Sequence, residues 1–422
     1  MTTPPDVDRN AGMESYAGDA PPCHARVKAL PEDFRVEEAL GGLEVGQEPG
    51  AGLFPLYKVE KRKVDTLHLE RELSAAVRSR VSFAGLKDKR AVAVQYFTPS
   101  SSRATTPPLI EGDRFRAELV GYVDRPLSRG MIAGNMFRLT LRDCCHDIGD
   151  RIAETFEIVR RGRAPNFYGL QRFGASGALT HRVGKALVKQ SFAEAVRMLI
   201  AEPRAGDDAR TAEARELMAR QRYSDGAKLF AKGQDTEAAV ASWLGRKPDD
   251  WVGALRAIPI RLRRLYAQAY QSYIFNRSLS LAARRGLDIS SAERGDNWGE
   301  VSEDTLSVTK VHGVKEPLEP GGVPLIQFAG YAYRDYGSRF DSCVGEVMAD
   351  EGVAPKEFYV EGMQEVSVEG GFRRPHIAAR DMAFEVDGDV ARLSFVLARG
   401  EYATVLVREA VKPTDPQSQG FA

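Results

Sequence analysis

Two short early runs, Phe34-Arg35-Val36-Glu37 and Leu56-Tyr57-Lys58-Val59-Glu60, alternate apolar and charged residues, which predicts strands parted by the Gly-rich stretch 41–52. From Thr66 to Val81 the period lengthens. Leu69, Leu73, Ala76 and Val77 fall on one face of an amphipathic helix entered from Asp65 or Thr66. Strand character returns over Ala91 to Thr98, so the residues between form a glycine-led turn from a helix into a strand. Further strands are expected at Phe115 to Tyr122 and Met136 to Leu141, then a helix from about Asp150 with Ile152, Phe156 and Val159 on one face. Between roughly residues 180 and 285 Ala, Arg, Glu and Leu dominate and the pattern is helical. The last of these helices, Ile260 to Arg285, starts beside Pro259 and stops at Gly286, as a starting proline and a terminal glycine predict. Beyond it the pattern is β again, at Val323 to Tyr333, Arg392 to Ala398 and Tyr402 to Arg408, with Gly400 as a hairpin signal between the last two. The order predicts an α+β fold whose catalytic unit is interrupted by a large insert.

Composition adjusts this picture in three places. A chain of 422 residues exceeds one ordinary compact domain, so two are expected. Residues 1–24 are polar and rich in Pro, Asp and Gly, which reads as a disordered leader. The four cysteines, Cys23, Cys144, Cys145 and Cys343, show no zinc spacing, and adjacent Cys144 and Cys145 are poorly placed to bridge each other, so a reduced, cytoplasmic setting without metal is expected. No uninterrupted apolar run approaches the roughly 20 residues that cross a bilayer, which predicts a protein with no membrane partner.

Formal net charge is zero, with 59 basic and 59 acidic residues, but the charges are segregated. Residues 151–190 hold eight Lys or Arg against two Glu, and residues 256–285 hold seven Arg with no acid. Lys58, Lys61, Arg62 and Lys63 form a third cluster, whereas 287–320 and 341–370 lean acidic. Clusters of this kind either track a phosphate backbone or line solvated helix faces.

The chemistry centres on Phe83-Ala84-Gly85-Leu86-Lys87-Asp88-Lys89-Arg90-Ala91-Val92, one carboxylate in a glycine-led turn among three cations. Nearby positive charge favours its ionised form and suits it to act beside a polyanion. Gly85-x-Lys87-Asp88-x-x-Ala91-x-x-x-Gln95 resembles the signature of the TruD family of RNA pseudouridine synthases, in which this aspartate is catalytic. Four more blocks match the same family in order. Lys28-x-x-Pro31-Glu32-Asp33-Phe34-x-Val36-x-Glu38 is similar to its N-terminal strand, whose lysine lies near the active site. Gly134-Asn135-Met136-Phe137 resembles its GNxF segment, which implies that Phe137 stacks on the target base and Asn135 orients the aspartate. An aromatic face is what an enzyme must offer a base extracted from folded RNA.

The block Asn166-Phe167-Tyr168-Gly169-Leu170-Gln171-Arg172-Phe173-Gly174 offers amides in Asn166 and Gln171 for a base edge and Arg172 for phosphate or carboxylate. On packing grounds its aromatics wedge a domain junction. Tyr270-Gln271-Ser272-Tyr273-Ile274-Phe275-Asn276 and Gly400-x-Tyr402-Ala403-Thr404-x-x-x-Arg408-Glu409 complete the match, the first read on its spacing as a buried aromatic stripe. Tyr402 and Arg408 share one face of the expected strand, and Arg408, with Lys87 and Lys89 as competitors, is the candidate basic partner of Asp88.

The resemblance spans about residues 28–410. It implies a pseudouridine-synthase fold with a central, mostly antiparallel sheet, built from residues 25–165 and 373–422 and interrupted by a TRUD domain over 166–372. It also implies RNA as partner, namely transfer RNA at uridine 13, by an isomerisation that needs no cofactor; the oligomeric state is not readable from the sequence, with a monomer favoured. The competing class is an RNA-binding protein or RNA chaperone of the same fold without catalysis; the Asp in the Gly-Leu-Lys-Asp block speaks against it. A glycoside hydrolase would call for two cooperating carboxylates, and only one stands in a matching block.

Overall fold

The computed structural model describes residues 2–41, 43–50, 52–62, 64–85, 92–128, 131–174, 179–204, 206–231 and 233–422. Asp88, with Lys87, Lys89 and Arg90 beside it, lies outside the described residues, as does Lys63.

The expected early alternation becomes β1 (Phe34–Leu40) and β2 (Phe54–Arg62). The first helix of any length, Thr66–Ala76, is capped by the Asp65 carboxylate, which accepts from the His68 backbone N–H at 2.8 Å. It ends sooner than its apolar spacing predicts, because Arg78 turns left-handed (φ 51°) and Val81–Phe83 pairs as a strand, β3, with β4 (Val92–Pro99). The stretch of sequence that holds Asp88 therefore lies between two strands, not between a helix and a strand. β5 (Leu109–Gly112), β6 (Phe115–Val123) and β7 (Ile132–Leu141) follow, the last two where alternation predicts them.

After residues 142–378 the chain returns to the same sheet with β13 (Ala379–Asp387) and β14 (Val390–Leu397); β8 to β12 between them, Trp298–Val301, Val308–His312, Val323–Pro324, Ile326–Gln327 and Phe372–Arg373, form two small separate sheets. The large sheet runs β13-β14-β7-β1-β4-β2-β6-β5 with β3 beside β4, and β1 with β4 is its one parallel pair among the described residues. The single strand expected over Val323 to Tyr333 is realised only as the short pieces β10 and β11.

Helices Ile148–Arg160 and Ala403–Val411 pack on the Phe137 side of the sheet, through contacts such as the edge-on pair of Phe156 and Phe395 at 6.5 Å. A second core lies among Leu179–Val188, Phe192–Ile200, Ala209–Ala219, Tyr223–Ala227, Asp235–Arg246 and Trp251–Arg256, where Val183, Leu187, Val196, Val240 and Leu244 meet. Ile260–Arg284 starts at Pro259 as predicted and contributes to both cores through Tyr266 and Tyr270. Helix Arg339–Asp350 packs along it.

Two expectations at the chain ends are corrected. Tyr402 to Arg408 is not a strand. Gly400 (φ 86°) turns the chain out of β14, and Ala403, Leu406, Val407 and Ala410 then follow the i, i+3, i+4, i+7 spacing of a helix. Every residue of this helix is buried, so no solvated face distinguished period 2 from period 3.6. The leader is not disordered either. Asp8, Ala11 and Met13 are buried, Ser280 donates to the Gly12 carbonyl at 2.8 Å, the Ala17 N–H donates to Glu409 at 2.7 Å, and the Cys23 N–H donates to the Val411 carbonyl at 2.8 Å. Polar composition suggested solvation, but these groups meet polar partners on the last helix and on Ile260–Arg284. Gly12 (φ 79°) sits so close to the latter that a Cβ would lie 3.0 Å from the Arg277 nitrogen. Cys23 and Cys145 are disulfide-bonded with Cα atoms 5.8 Å apart, contrary to the expectation of reduced thiols throughout. Among the described residues no helix is long and apolar enough to cross a membrane.

Asp8 accepts from the Arg408 guanidinium at 2.6 Å with both side chains almost wholly buried. Removing one partner of a buried pair leaves the other charge exposed to a poor medium, so Asp8→Ala should cost about 3 kcal/mol in urea denaturation; a loss within ordinary surface-substitution scatter would show that the leader does not hold the last helix.

His181 and His376 are held neutral, burial being the chief cause that pushes each pKa down to about 4. The unfolded chain protonates them near 6.5, so this stability is complete above about 6.5 and is lost as pH falls toward 4. His312, raised by hydrogen bonds to Glu316 and Glu300, works the other way. The urea midpoint should decline from about pH 7 to about pH 5, and His181→Phe, which keeps a ring on Tyr273, should flatten that decline; an unchanged slope would refute it.

Candidate active site

Sheet register places the candidate residues before any side chain is considered. Val36 of β1 pairs with Ala93 of β4 on one side and Phe137 of β7 on the other; Lys61 pairs with Ala93, and Phe395 with Phe137. Side chains alternate along strands, so Lys61, Ala93, Val36, Phe137 and Phe395 form one row on one face. The next row on that face contains Gln95, Glu38 and Asn135, the last two being register partners. The start of β4, at Ala93 and Gln95, thus shares a face with Asn135 and Phe137, from segments far apart in sequence.

Phe137 is almost fully buried, edge-on to Phe34 (5.9 Å) and tilted against Phe395 (5.7 Å). Lys28 reaches over Phe34, its Nζ 5.1 Å from the ring centroid, which joins the N-terminal block to this aromatic group. Gly134 is required by a close approach: a Cβ there would meet the Leu397 carbonyl oxygen at 2.5 Å.

Both ends of the turn are rooted by residues that sequence reasoning left without roles. Gln95, fully buried, donates from Nε2 to the Gly85 carbonyl at 2.7 Å and to Glu38 Oε1 at 3.4 Å, while its Oε1 accepts from the Thr66 hydroxyl at 2.9 Å. Glu38 also accepts from the Tyr96 N–H at 3.2 Å. Gln95 and Glu38 each close a block quoted above, and that position was their only signal. Lys61, read as part of a cationic cluster, is fully buried and donates to the Val64 carbonyl at 2.9 Å. Its neighbour Lys58 pairs with Glu37 at 2.6 Å.

The 166–174 block and the last helix form a second assembly, and here several expected roles change. Asn166 is buried and donates to the Arg374 carbonyl (3.0 Å) and Glu401 (3.4 Å), while its own oxygen accepts from Arg373 (2.5 Å). Burial raises the pKa of Glu401 and the two arginines oppose that shift. Gln171 donates to the Phe421 carbonyl at 2.8 Å and accepts from Thr404 at 3.2 Å. These amides fasten the chain and do not present an edge to a base. Arg408 is buried and bound to Asp8, to Glu409 (2.9 Å) and to the Ser15 carbonyl (3.2 Å), which removes it as a counter-ion for an active-site carboxylate.

Arg172 differs. It donates to the neutral Ser272 hydroxyl (3.2 Å) and the Gln268 side-chain amide oxygen (3.3 Å) and lies over the Tyr168 ring at 5.8 Å, next to half-buried Tyr402. Phe167 and Phe173 are fully buried, and Tyr266 and Tyr270 are core residues as their spacing predicts.

Five of the seven arginines of 256–285 are paired with carboxylates: Arg256 and Arg263 with Glu365 (2.9 and 2.5 Å), Arg277 with Glu351 (2.9 Å), Arg284 with Glu14 and Arg285 with Glu346. Arg261 and Arg264 are exposed, and Arg264 donates to the neutral Glu365 backbone carbonyl at 2.8 Å.

Comparison with known proteins agrees with this arrangement over nearly the whole chain. The family model described as tRNA pseudouridine synthase D (TruD) matches residues 10–410. A protein of Pyrobaculum arsenaticum named "Probable tRNA pseudouridine synthase D" is 33% identical over 433 residues, covering 100% of both chains. One of the same name from Archaeoglobus fulgidus is 30% identical and covers 96% of this chain and 99% of its own. The solved structure named for tRNA pseudouridine synthase D of Methanosarcina mazei superposes with a TM-score of 0.79 at 27% identity, covering 98% of this chain and 99% of that one. With the family model matched over residues 10–410 and full-length relatives at 30% identity or more, this chain belongs to the TruD family of pseudouridine synthases.

Proposed function

We propose that the substrate is transfer RNA, that the target is uridine 13, and that Asp88 is the catalytic carboxylate. The observation that carries this reading is the register of the large sheet, which gathers Asn135, Phe137 and the strand leaving the Asp88 turn on one face. In the reaction the N1–C1′ bond breaks, the uracil turns within the site, and C5 rejoins C1′. Asp88 either attacks C1′ or takes the C2′ proton to give a glycal, and a base then removes the C5 proton. The net change is an isomerisation, which balances without a redox or nucleotide cofactor.

Phe137 offers its remaining exposed edge to the flipped base, Asn135 orients the carboxylate, Lys28 and Arg172 supply positive charge at the rim, and Tyr402 extends the aromatic surface. The enzyme acts in the cytoplasm.

Asp88→Asn should abolish tritium release from tRNA labelled at uridine C5 while leaving tRNA affinity within about threefold, since the carboxylate serves chemistry more than binding. Near-normal release would sink the assignment. Phe137→Ala should unfold the protein more easily by about 3–5 kcal/mol, because the ring fills space between Phe34 and Phe395. Phe137→Leu keeps most of that volume and isolates stacking: kcat/KM should fall by the equivalent of about 1–3 kcal/mol. A folded Phe137→Leu enzyme with unchanged kcat/KM would leave Phe137 as a core residue only.

A further inference from the structure

β3 and β4 pair in an antiparallel register of Ser82 with Thr98 and Phe83 with Phe97. Continued by two residues, that register sets Gly85 opposite Gln95. The ladder stops at Phe83, however, and the Gly85 carbonyl is taken instead by the Gln95 side chain at 2.7 Å. The amide is oriented without ambiguity. Its two acceptor neighbours, the Gly85 carbonyl and Glu38 Oε1, lie on the nitrogen side, and its one donor neighbour, the Thr66 hydroxyl, lies on the oxygen side. Thr66, Gln95 and Glu38 are all buried, so each hydrogen bond lies away from competing water.

We propose that Gln95 is a positioning residue for catalysis: with Thr66 and Glu38 it latches Gly85, three residues before Asp88, and so sets where the aspartate turn leaves the sheet. Three elements converge on this latch, β1 through Glu38, the helix Thr66–Ala76 through its first residue, and β4 through Gln95 itself. A turn rooted by backbone pairing alone would be free to peel from Phe83 onward. The inference rests on Asp88 being the catalytic group, and it predicts an effect on chemistry separate from RNA binding, because none of the three latch side chains is exposed to a ligand.

The test compares Gln95→Met, which keeps length and loses both donors, with the pair Thr66→Val and Thr66→Ser, of which only the second keeps the hydroxyl. Each is assayed for single-turnover tritium release, tRNA affinity and thermal unfolding, beside wild type and Asp88→Asn. Displacement of a catalytic group by an ångström lowers rate on the order of 100-fold. Gln95→Met should therefore lose roughly 10- to 100-fold in rate with affinity within about twofold, Thr66→Val should lose part of that, and Thr66→Ser should retain wild-type rate. A folded Gln95→Met enzyme with normal rate overturns the latch, and so does a parallel fall in rate, affinity and folded fraction. If Gln95→Met does not fold, equal rates for Thr66→Val and Thr66→Ser overturn it. Activity in Asp88→Asn would instead refute the catalytic assignment, which keeps the two failures apart.

Discussion

The double pairing of β7 is the constraint on which the rest depends. One edge bonds to β1 and the other to β14, a strand that arrives more than two hundred residues later. A slip of one residue on either side would turn Asn135, Phe137 and Leu139 to the opposite face and bring Met136 and Arg138 in their place. The two neighbours must therefore agree on one register. Phe137 between Phe34 and Phe395 penalises every other choice, and Gly134 permits the close approach of the Leu397 carbonyl that this choice demands. Once β14 is locked, Gly400 turns the chain and the last helix is delivered against the sheet, where it captures the leader through Arg408 and Glu409.

Electrostatics then close the structure from outside. The Arg-rich helix and the acidic stretch 341–370 are separated in sequence and adjacent in space, so a charge pattern suggestive of polyanion binding is largely neutralised internally. The exposed pairs among these contribute little each, about 0–1 kcal/mol. The buried pairs contribute differently. Arg408 between Asp8 and Glu409, and Arg374 beside Glu401, would be costly to break on one side only, which ties the leader to the last helix and the 373–378 segment to the turn that leads into it.

Much of this was legible along the chain, and the failures share physical causes. Strands β6, β7 and β14 have one face toward a core and alternate clearly, and Ile260–Arg284 is bounded by Pro259 and Gly286; both are local signals. The Ala403–Val411 helix was misread because burial all round erases amphipathicity, and the leader because its polar groups find partners hundreds of residues away. In the site, motif order singled out Asn135 and Phe137, and sheet register gives them a common face. Motif order also marked Asn166, Gln171 and Arg408, whose side chains fasten the chain internally. Sequence alone does not separate a side chain that serves the fold from one that serves a ligand, since both can be irreplaceable.

That separation can be made from the partners each side chain keeps. A phosphate that approached Arg256, Arg277 or Arg285 would have to displace a carboxylate, exchanging one ionic contact for a similar one with little net gain. Arg172 is bound by a hydroxyl, an amide carbonyl and the face of Tyr168, all neutral, so it is held in place with its charge uncancelled by those contacts. A guanidinium fixed in this manner loses little conformational freedom when an anion arrives and displaces no competitor. On the Arg-rich helix Arg264 shares this character, exposed and donating to the neutral Glu365 backbone carbonyl at 2.8 Å, so the carboxylate-paired arginines and the two with neutral partners are separated by their contacts, not by their number.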